Sequence, residues 1–131
     1  MKLLKCTPLS ALRQDRGWSV EPVSSALLAA GGVKNIHLVS MLPDTIRGNH
    51  VHTRQSEWVI TFGGRCLVAA LDAKGQREER IFENDELVLI EIPPDVPHAF
   101  KNIGQEVGYL LALCSEPYIK ENPDRKEVRV L

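Results

Sequence analysis

A chain of 131 residues suits one domain with one hydrophobic core, and 44% hydrophobic with 25% charged residues is an ordinary globular balance. Sixteen basic against seventeen acidic side chains leave a net charge of −1, so no basic excess is available to neutralise nucleic-acid phosphates. No apolar run reaches the roughly 18 residues of a membrane span, and the N-terminal apolar stretch is too short for a signal peptide. Nucleic-acid binding and membrane insertion are therefore set aside, and the cytoplasm is the expected compartment. Cys6, Cys66 and Cys114 are far apart, odd in number and form no CxxC pair, which argues against a disulfide framework. Cys66 and Cys114 lie in apolar runs and read as small buried hydrophobes.

The first dozen residues read as a loose arm or an edge strand. Residues 24–32, SSALLAAGG, form either a short helical turn ended by glycine or a loop over the core. From residue 35 the pattern is strands and turns. NIHLVSML (35–42) stops at Pro43, and EWVITF (57–62) is cut by Gly63-Gly64. RCLVAALD (65–72) follows, turns through Ala73-Lys74-Gly75, and REERIF (77–82) pairs back. ELVLIEI (86–92) is closed by Pro93-Pro94, and HAFKNI (98–103) is joined to VGYLLALC (107–114) by a Gly-Gln-Glu turn. EVRVL (127–131) reads as a last strand. Many short strands with frequent turns make an all-β sandwich or barrel, and periodicity leaves the two undecided. Alternation puts Glu57, Val59 and Thr61 on one side of their strand and Trp58, Ile60 and Phe62 on the other. The bulky set, with Trp18, is expected in the core against a second sheet or at an interface. One domain spans residues 1–131, with an arm over 1–34, a barrel core at about 35–115 and a C-terminal segment over 116–131.

Three of the four histidines fall in two short segments. In RGNHVHTRQSEW (47–58), His50 and His52 are two residues apart, and on an extended chain both rings point to one side. Glu57 follows five residues after His52 and can return its carboxylate to that point after a turn through 53–56. In IPPDVPHAFKN (92–102), prolines and an aspartate make a rigid turn that delivers His98 at the start of a strand. Three imidazoles and one carboxylate are a borderline ligand set suited to Zn, Mn, Fe, Ni or Co. Such a site keeps open positions, where an ion polarises a carbonyl or lowers the pKa of bound water. His37 shares a strand side with Val39 and Met41. If that side lines a barrel, His37 faces the site; the alternative is a surface histidine. Tyr109 is a second group able to carry a proton, or else packs in the core with its hydroxyl at the rim.

These segments resemble the cupin family. Its first motif reads here as His50-x-His52, four residues, Glu57, six residues, Gly64, and its second as Pro93 through His98 to Asn102. The resemblance covers about residues 35–115 and implies a double-stranded β-helix, a jelly-roll barrel, holding one divalent metal on His50, His52, Glu57 and His98. Three family glycines are replaced, by Asp44, Leu87 and Asp95, so differently shaped loops are expected there.

Arg47-Gly48-Asn49-His50 resembles the Arg-Gly-x-His signature of sugar-nucleotide cupins. Among these are dTDP-4-dehydrorhamnose 3,5-epimerases, dTDP-4-keto-6-deoxyhexose 3,4-ketoisomerases and the zinc-binding cupin domain fused to capsule-polysaccharide dehydrogenases. The string RGNHVH, the segment IEIPPDVPHAFKNIG, Ser115-Glu116-Pro117-Tyr118, Asn122-Pro123-Asp124 and Asp15-Arg16-Gly17 extend that likeness. The resemblance implies an epimerase or isomerase of a nucleotide-linked 4-keto-deoxy sugar, active in polysaccharide biosynthesis and built as a homodimer. Arg47 is then on the substrate and His50 is the base of metal-free members. Glu57 departs from the metal-free ketoisomerases, which lack a carboxylate there, and favours a loaded site, with zinc the first choice and Mn, Fe or Ni the alternatives. If His50 is occupied by an ion, His37 or Tyr109 must carry the proton. Two other readings stay open: an iron- or manganese-dependent dioxygenase and a non-catalytic module that binds a small ligand.

Overall fold

The computed structural model describes residues 1–131. In chain order it contains β1 (Lys5–Pro8), β2 (Leu12–Gln14), β3 (Gly17–Ser19), α1 (Ser25–Ala29), β4 (Asn35–Met41), β5 (Ile46–Val51) and β6 (Glu57–Phe62). There follow β7 (Cys66–Leu71), β8 (Arg77–Phe82), β9 (Val88–Ile92), β10 (His98–Asn102), β11 (Gly108–Cys114) and β12 (Lys126–Glu127). β-Branched and aromatic residues set the strands, while Gly63-Gly64, the 72–76 turn and the prolines after Ile92 end them. The strands form two five-stranded antiparallel sheets, ordered β1-β9-β6-β11-β4 and β12-β5-β10-β7-β8, and β2 pairs with β3 alone.

The two sheets face each other, as the jelly-roll expectation required. The core interleaves Met41, Val59, Val88, Ile90, Ile92 and Leu110 of the first sheet with Cys66, Val68, Ala70, Phe82 and Phe100 of the second. Each large aliphatic or aromatic side chain buried there contributes about 1.5–3 kcal/mol. The side of β6 carrying Glu57, Val59 and Thr61 is the side that faces the second sheet. Trp58 and Phe62 of the other set, which was expected to pack in the core or at an interface, lie half-buried on the outer face. Trp18 is exposed on the β2–β3 hairpin.

Asp44 and Asp95, where family glycines are missing, both adopt φ of 64°. The turns therefore keep the left-handed backbone expected of glycine, because aspartate tolerates that region better than most residues. This corrects the expectation of reshaped loops at those two positions. Leu87 has no such backbone and is a buried core residue.

Gly48 and Asn49 interrupt β5 with successive positive φ values of 88° and 54°. On the partner strand His98 faces His50, Ala99 faces Gly48 and Phe100 faces Arg47, so Asn49 is the extra residue of a β-bulge. In a regular strand, residues three apart would point to opposite faces. The bulge adds one residue and turns Arg47 and His50 to the same face, opposite Phe100 and His98.

Outside the barrel core, β1 is an edge strand on β9, and Leu4 before it is fully buried. Of the two readings for residues 24–32 the helical turn holds: α1 is capped by the Ser24 hydroxyl accepting from the Leu27 amide, with Gly31 in the left-handed region after it. The strand expected over 127–131 shrinks to β12. Beyond it the Asn49 side-chain oxygen accepts from the amides of Val130 and Leu131 at 2.9 and 3.0 Å, replacing a ladder. Val130 packs on Ala69 and Ala99 of the outer face of the second sheet.

Candidate functional site

Three strands, β5 and β10 of the second sheet and β6 of the first, bring the candidate ligand set to one end of the sandwich. His50 lies near the end of β5 and His52 just beyond it; Glu57 opens β6 and His98 opens β10. The register pairs His98 with both His50 and Ala70, and Glu57 with both Ile92 and Cys114. The Pro93–Pro97 turn is tied to the first segment by the Asp95 amide, which donates to the His52 carbonyl at 2.7 Å. His98 is wholly buried, and His52 and Glu57 nearly so.

One donor atom from each of the four side chains lies within 4.8 Å of all the others. His50 Nε2 is 3.1 Å from His98 Nε2, His52 Nε2 is 3.1 Å from Glu57 Oε1, and His98 Nε2 is 3.5 Å from Glu57 Oε2. Two rings are held from behind by main-chain carbonyls: His98 Nδ1 by Val96 O at 2.9 Å and His52 Nδ1 by Asp124 O at 2.5 Å. A carbonyl oxygen only accepts, so both Nδ1 atoms carry the proton and both Nε2 atoms present a lone pair inward. His52 Nε2 is buried and makes no hydrogen bond of acceptable geometry despite its closeness to Glu57.

Lone pairs that converge, rings oriented by carbonyls and an orphaned buried nitrogen fit a divalent cation, whose bonds to imidazole and carboxylate run at about 2.0–2.2 Å. Among the four groups themselves, burial together with His98 and His52 pushes His50 down to about 4. Burial opposes a charged His52, but the nearby Glu57 carboxylate outweighs it and raises the ring above its ordinary value. Burial would likewise raise Glu57, yet the imidazoles of His52 and His98 against it hold it well below the usual carboxylate range. Gln55 Nε2 donates to Glu57 Oε1 at 2.8 Å.

His50, His52 and Glu57 line a cavity of about 400 Å³, the size of small-molecule sites generally. Val39, Val59, Phe100, Leu110 and Ala112 form its apolar walls, and His37, Arg47, Gln55, Tyr118 and Arg125 its polar part. Arg47 donates from Nε and Nη2 to Ser40 O, linking β5 of the second sheet to β4 of the first. His37 does line the cavity, with Nε2 at 2.7 Å from Asn35 Nδ2 and its ring edge-on to Tyr118 at 6.1 Å. Tyr109 is not brought to the site. It sits on the outer face of β11, stacked on Phe62 at 5.4 Å between centroids. Gly108, Leu110, Ala112 and Cys114 take the inward positions of that strand, and one residue of register separates the two faces.

Sequence reasoning gave no role to Gln55, Tyr118, Asp124 or Arg125. The last three come from the C-terminal segment, whose Asn-Pro-Asp run signals a turn but not where that turn docks.

The family model described as the polysaccharide biosynthesis C-terminal domain matches residues 13–126. No curated protein matches the chain. Among solved structures, the capsular polysaccharide assembling protein CapF from Staphylococcus aureus aligns with a TM-score of 0.71 and 20% identity over 94% of this chain. The chain spans 35% of CapF. A dTDP sugar isomerase from Desulfovibrio desulfuricans G20 aligns with a TM-score of 0.83 and 14% identity, over 97% of this chain and 84% of its own. QdtA, a sugar 3,4-ketoisomerase from Thermoanaerobacterium thermosaccharolyticum in complex with TDP, aligns with a TM-score of 0.75 and 18% identity, over 95% of this chain and 87% of its own. At these identities the likeness is one of fold, the cupin barrel. Matched over most of its length, the chain belongs to the polysaccharide biosynthesis C-terminal domain family.

Proposed function

We propose that this chain acts as a single cupin unit that binds a divalent metal and epimerises or isomerises a nucleotide-linked 4-keto-deoxy sugar in polysaccharide biosynthesis. The observation that carries the reading is the β5 bulge, which puts Arg47 and His50 on one wall of a cavity beside His52, Glu57 and His98. The shared fold of the dTDP sugar isomerase and of the sugar 3,4-ketoisomerase QdtA supports the substrate class.

A 4-keto sugar has acidic protons at C3 and C5; a base removes one, and the proton returns to another carbon or to the other face. When bound, the ion, zinc first with Mn, Fe or Ni as alternatives, would polarise the ketone and steady the enolate charge. His50, His52, Glu57 and His98 would hold it. The guanidinium of Arg47 is the group for an anionic substrate oxygen, since its planar fork suits phosphate. The Nε2 of His50 serves as ligand or as base, not as both at once. With His50 on the ion, His37 is the proton carrier, supported by its place on the cavity wall and its contact with Asn35. Tyr118, edge-on to His37 at the rim, is the phenol on hand for this work, in place of Tyr109.

Deuterium exchange tests the reading directly. Incubated in D₂O with dTDP- and UDP-4-keto-6-deoxy sugars, the protein is expected to place deuterium at C3 or C5 of one of them. His50→Ala and Arg47→Ala should each lower that rate at least 100-fold. Absence of exchange across the panel by metal-loaded protein rejects the activity.

A homodimer is part of the same proposal. It is supported by the outer face of the first sheet, where Ile36 and Leu38 are 58% and 68% exposed beside Tyr109, an apolar patch of the kind that marks an interface. A second copy is the occupant proposed, because a self-complementary patch closes by two-fold symmetry. Three free thiols support a reducing compartment, the cytoplasm. No helix is long and apolar enough to cross a membrane.

A further inference from the structure

The C-terminal segment leaves the barrel at Cys114 and forms no strand until Lys126, yet one of its residues contacts both His52 and the loop that leads from it to Glu57. We infer that Asp124 is a positioning residue for the metal centre, fixing the His52 ring through its main-chain carbonyl and the loop before Glu57 through its carboxylate. The inference rests on the metal-binding reading above.

The first contact is Asp124 O to His52 Nδ1 at 2.5 Å. It sets the tautomer and ring plane that turn the buried, unpartnered Nε2 toward Glu57. The second contact involves both carboxylate oxygens. Oδ1 accepts from the Thr53 amide at 3.0 Å and the Thr53 hydroxyl at 2.6 Å, and Oδ2 accepts from the amides of Arg54 and Gln55 at 2.7 and 2.9 Å. These donors are the loop between the ligands His52 and Glu57, and the Gln55 side chain continues to Glu57 Oε1.

The comparison with His98 shows what is unusual. His98 is oriented by Val96, two residues away on the same rigid turn, whereas His52 is oriented from 72 residues further along the chain. The geometry of His52 therefore depends on the docking of the C-terminal segment. Four charge-assisted bonds to one carboxylate are what hold it there. Carbonyl partners of this kind orient metal-ligating histidines, and their loss lowers metal affinity about 10- to 100-fold.

The test measures affinity for Zn²⁺ and Co²⁺ by chelator competition on the full chain, together with the Co²⁺ absorption spectrum. Asp124→Ala is expected to lose about 10- to 100-fold in affinity and to shift the Co²⁺ bands. Asp124→Asn keeps an oxygen for Thr53 but turns an NH₂ toward Arg54 and Gln55, and should fall in between. It also serves if the alanine variant fails to fold. Arg77→Ala is the control, because Arg77 Nη1 holds the far end of the tail at Val130 O, 3.1 Å away; its affinity and spectrum should match wild type within twofold. Failure of the wild-type protein to bind either ion overturns the metal-binding reading itself. Wild-type binding with Asp124 variants within twofold overturns the role of Asp124 alone. Equal losses in Asp124→Ala and Arg77→Ala also overturn it, since any loosening of the tail would then suffice.

Discussion

Burial pushes the thiols of Cys66 and Cys114 up to about 12, the latter aided by the adjacent Glu57 carboxylate. Cys6 lies half-buried on edge strand β1. At pH 8 a thiol with a pKa near 12 is only about 0.01% thiolate, and the thiolate is the reactive form. Titrated with a disulfide reagent at pH 8, the folded protein should therefore release one fast equivalent, from Cys6, and three after denaturation. The sign follows from burial: raising the pH to 9 increases the two slow thiolate fractions only to about 0.1%. Three equivalents released at one rate from folded protein would contradict this packing. At the same scale, Asn102 is wholly buried and fully used. Its Nδ2 donates to the carbonyls of Met41 and Glu106, and its Oδ1 accepts from the Gly104 amide. The asparagine that ends the second motif is thus a brace between turns.

At the scale of elements, the decisive feature is the bulge in β5. Gly48 has φ of +88°, and a Cβ there would lie 2.9 Å from His98 O and 3.0 Å from Ala99 Cα. Both are backbone atoms of the strand that carries His98, so they cannot swing aside. Gly48→Ala should cost about 2 kcal/mol or more in denaturant unfolding, from the left-handed backbone and the clash together. It should also weaken metal binding by separating His50 from His98. An unchanged unfolding midpoint would show that the bulge is not required. Gly64 illustrates a different need. Its φ is not positive, but a Cβ would meet Gly108 Cα at 2.8 Å, so the first motif ends in glycine to let β11 approach.

For the whole molecule, the proposed dimer rests on the outer face of the first sheet. Leu38 stands exposed on that face and takes no part in the cavity. Leu38→Glu is expected to convert a dimer into a monomer in light scattering, with the unfolding free energy of the protomer changed by no more than about 0.5 kcal/mol. A wild-type protein that is monomeric at high micromolar concentration would remove the dimer from the proposal.

Much of this was readable in the chain. β6 and β8 coincide with the expected strands 57–62 and 77–82, because alternation and flanking turn residues act over a few positions. The four ligand types and their spacing pointed to one centre, and the strands do converge there. β5 was not readable as a bulged strand, since Gly48-Asn49 looks like a turn until β10 pairs beside it. Nor could alternation alone tell which face of β11 is the inner one, and so Tyr109 and Tyr118 exchange places as the phenol near the site.

The sequence by itself determined the strand runs, the turns and the kinds of atoms available to bind a cation, all matters of local chemistry. The tertiary structure alone decided that Arg47 shares a wall with His50, that the outer sheet face is apolar and uncovered, and that Asp124 stands behind His52. Each of those depends on register and on contacts between residues far apart in the chain, and no short stretch of residues encodes either.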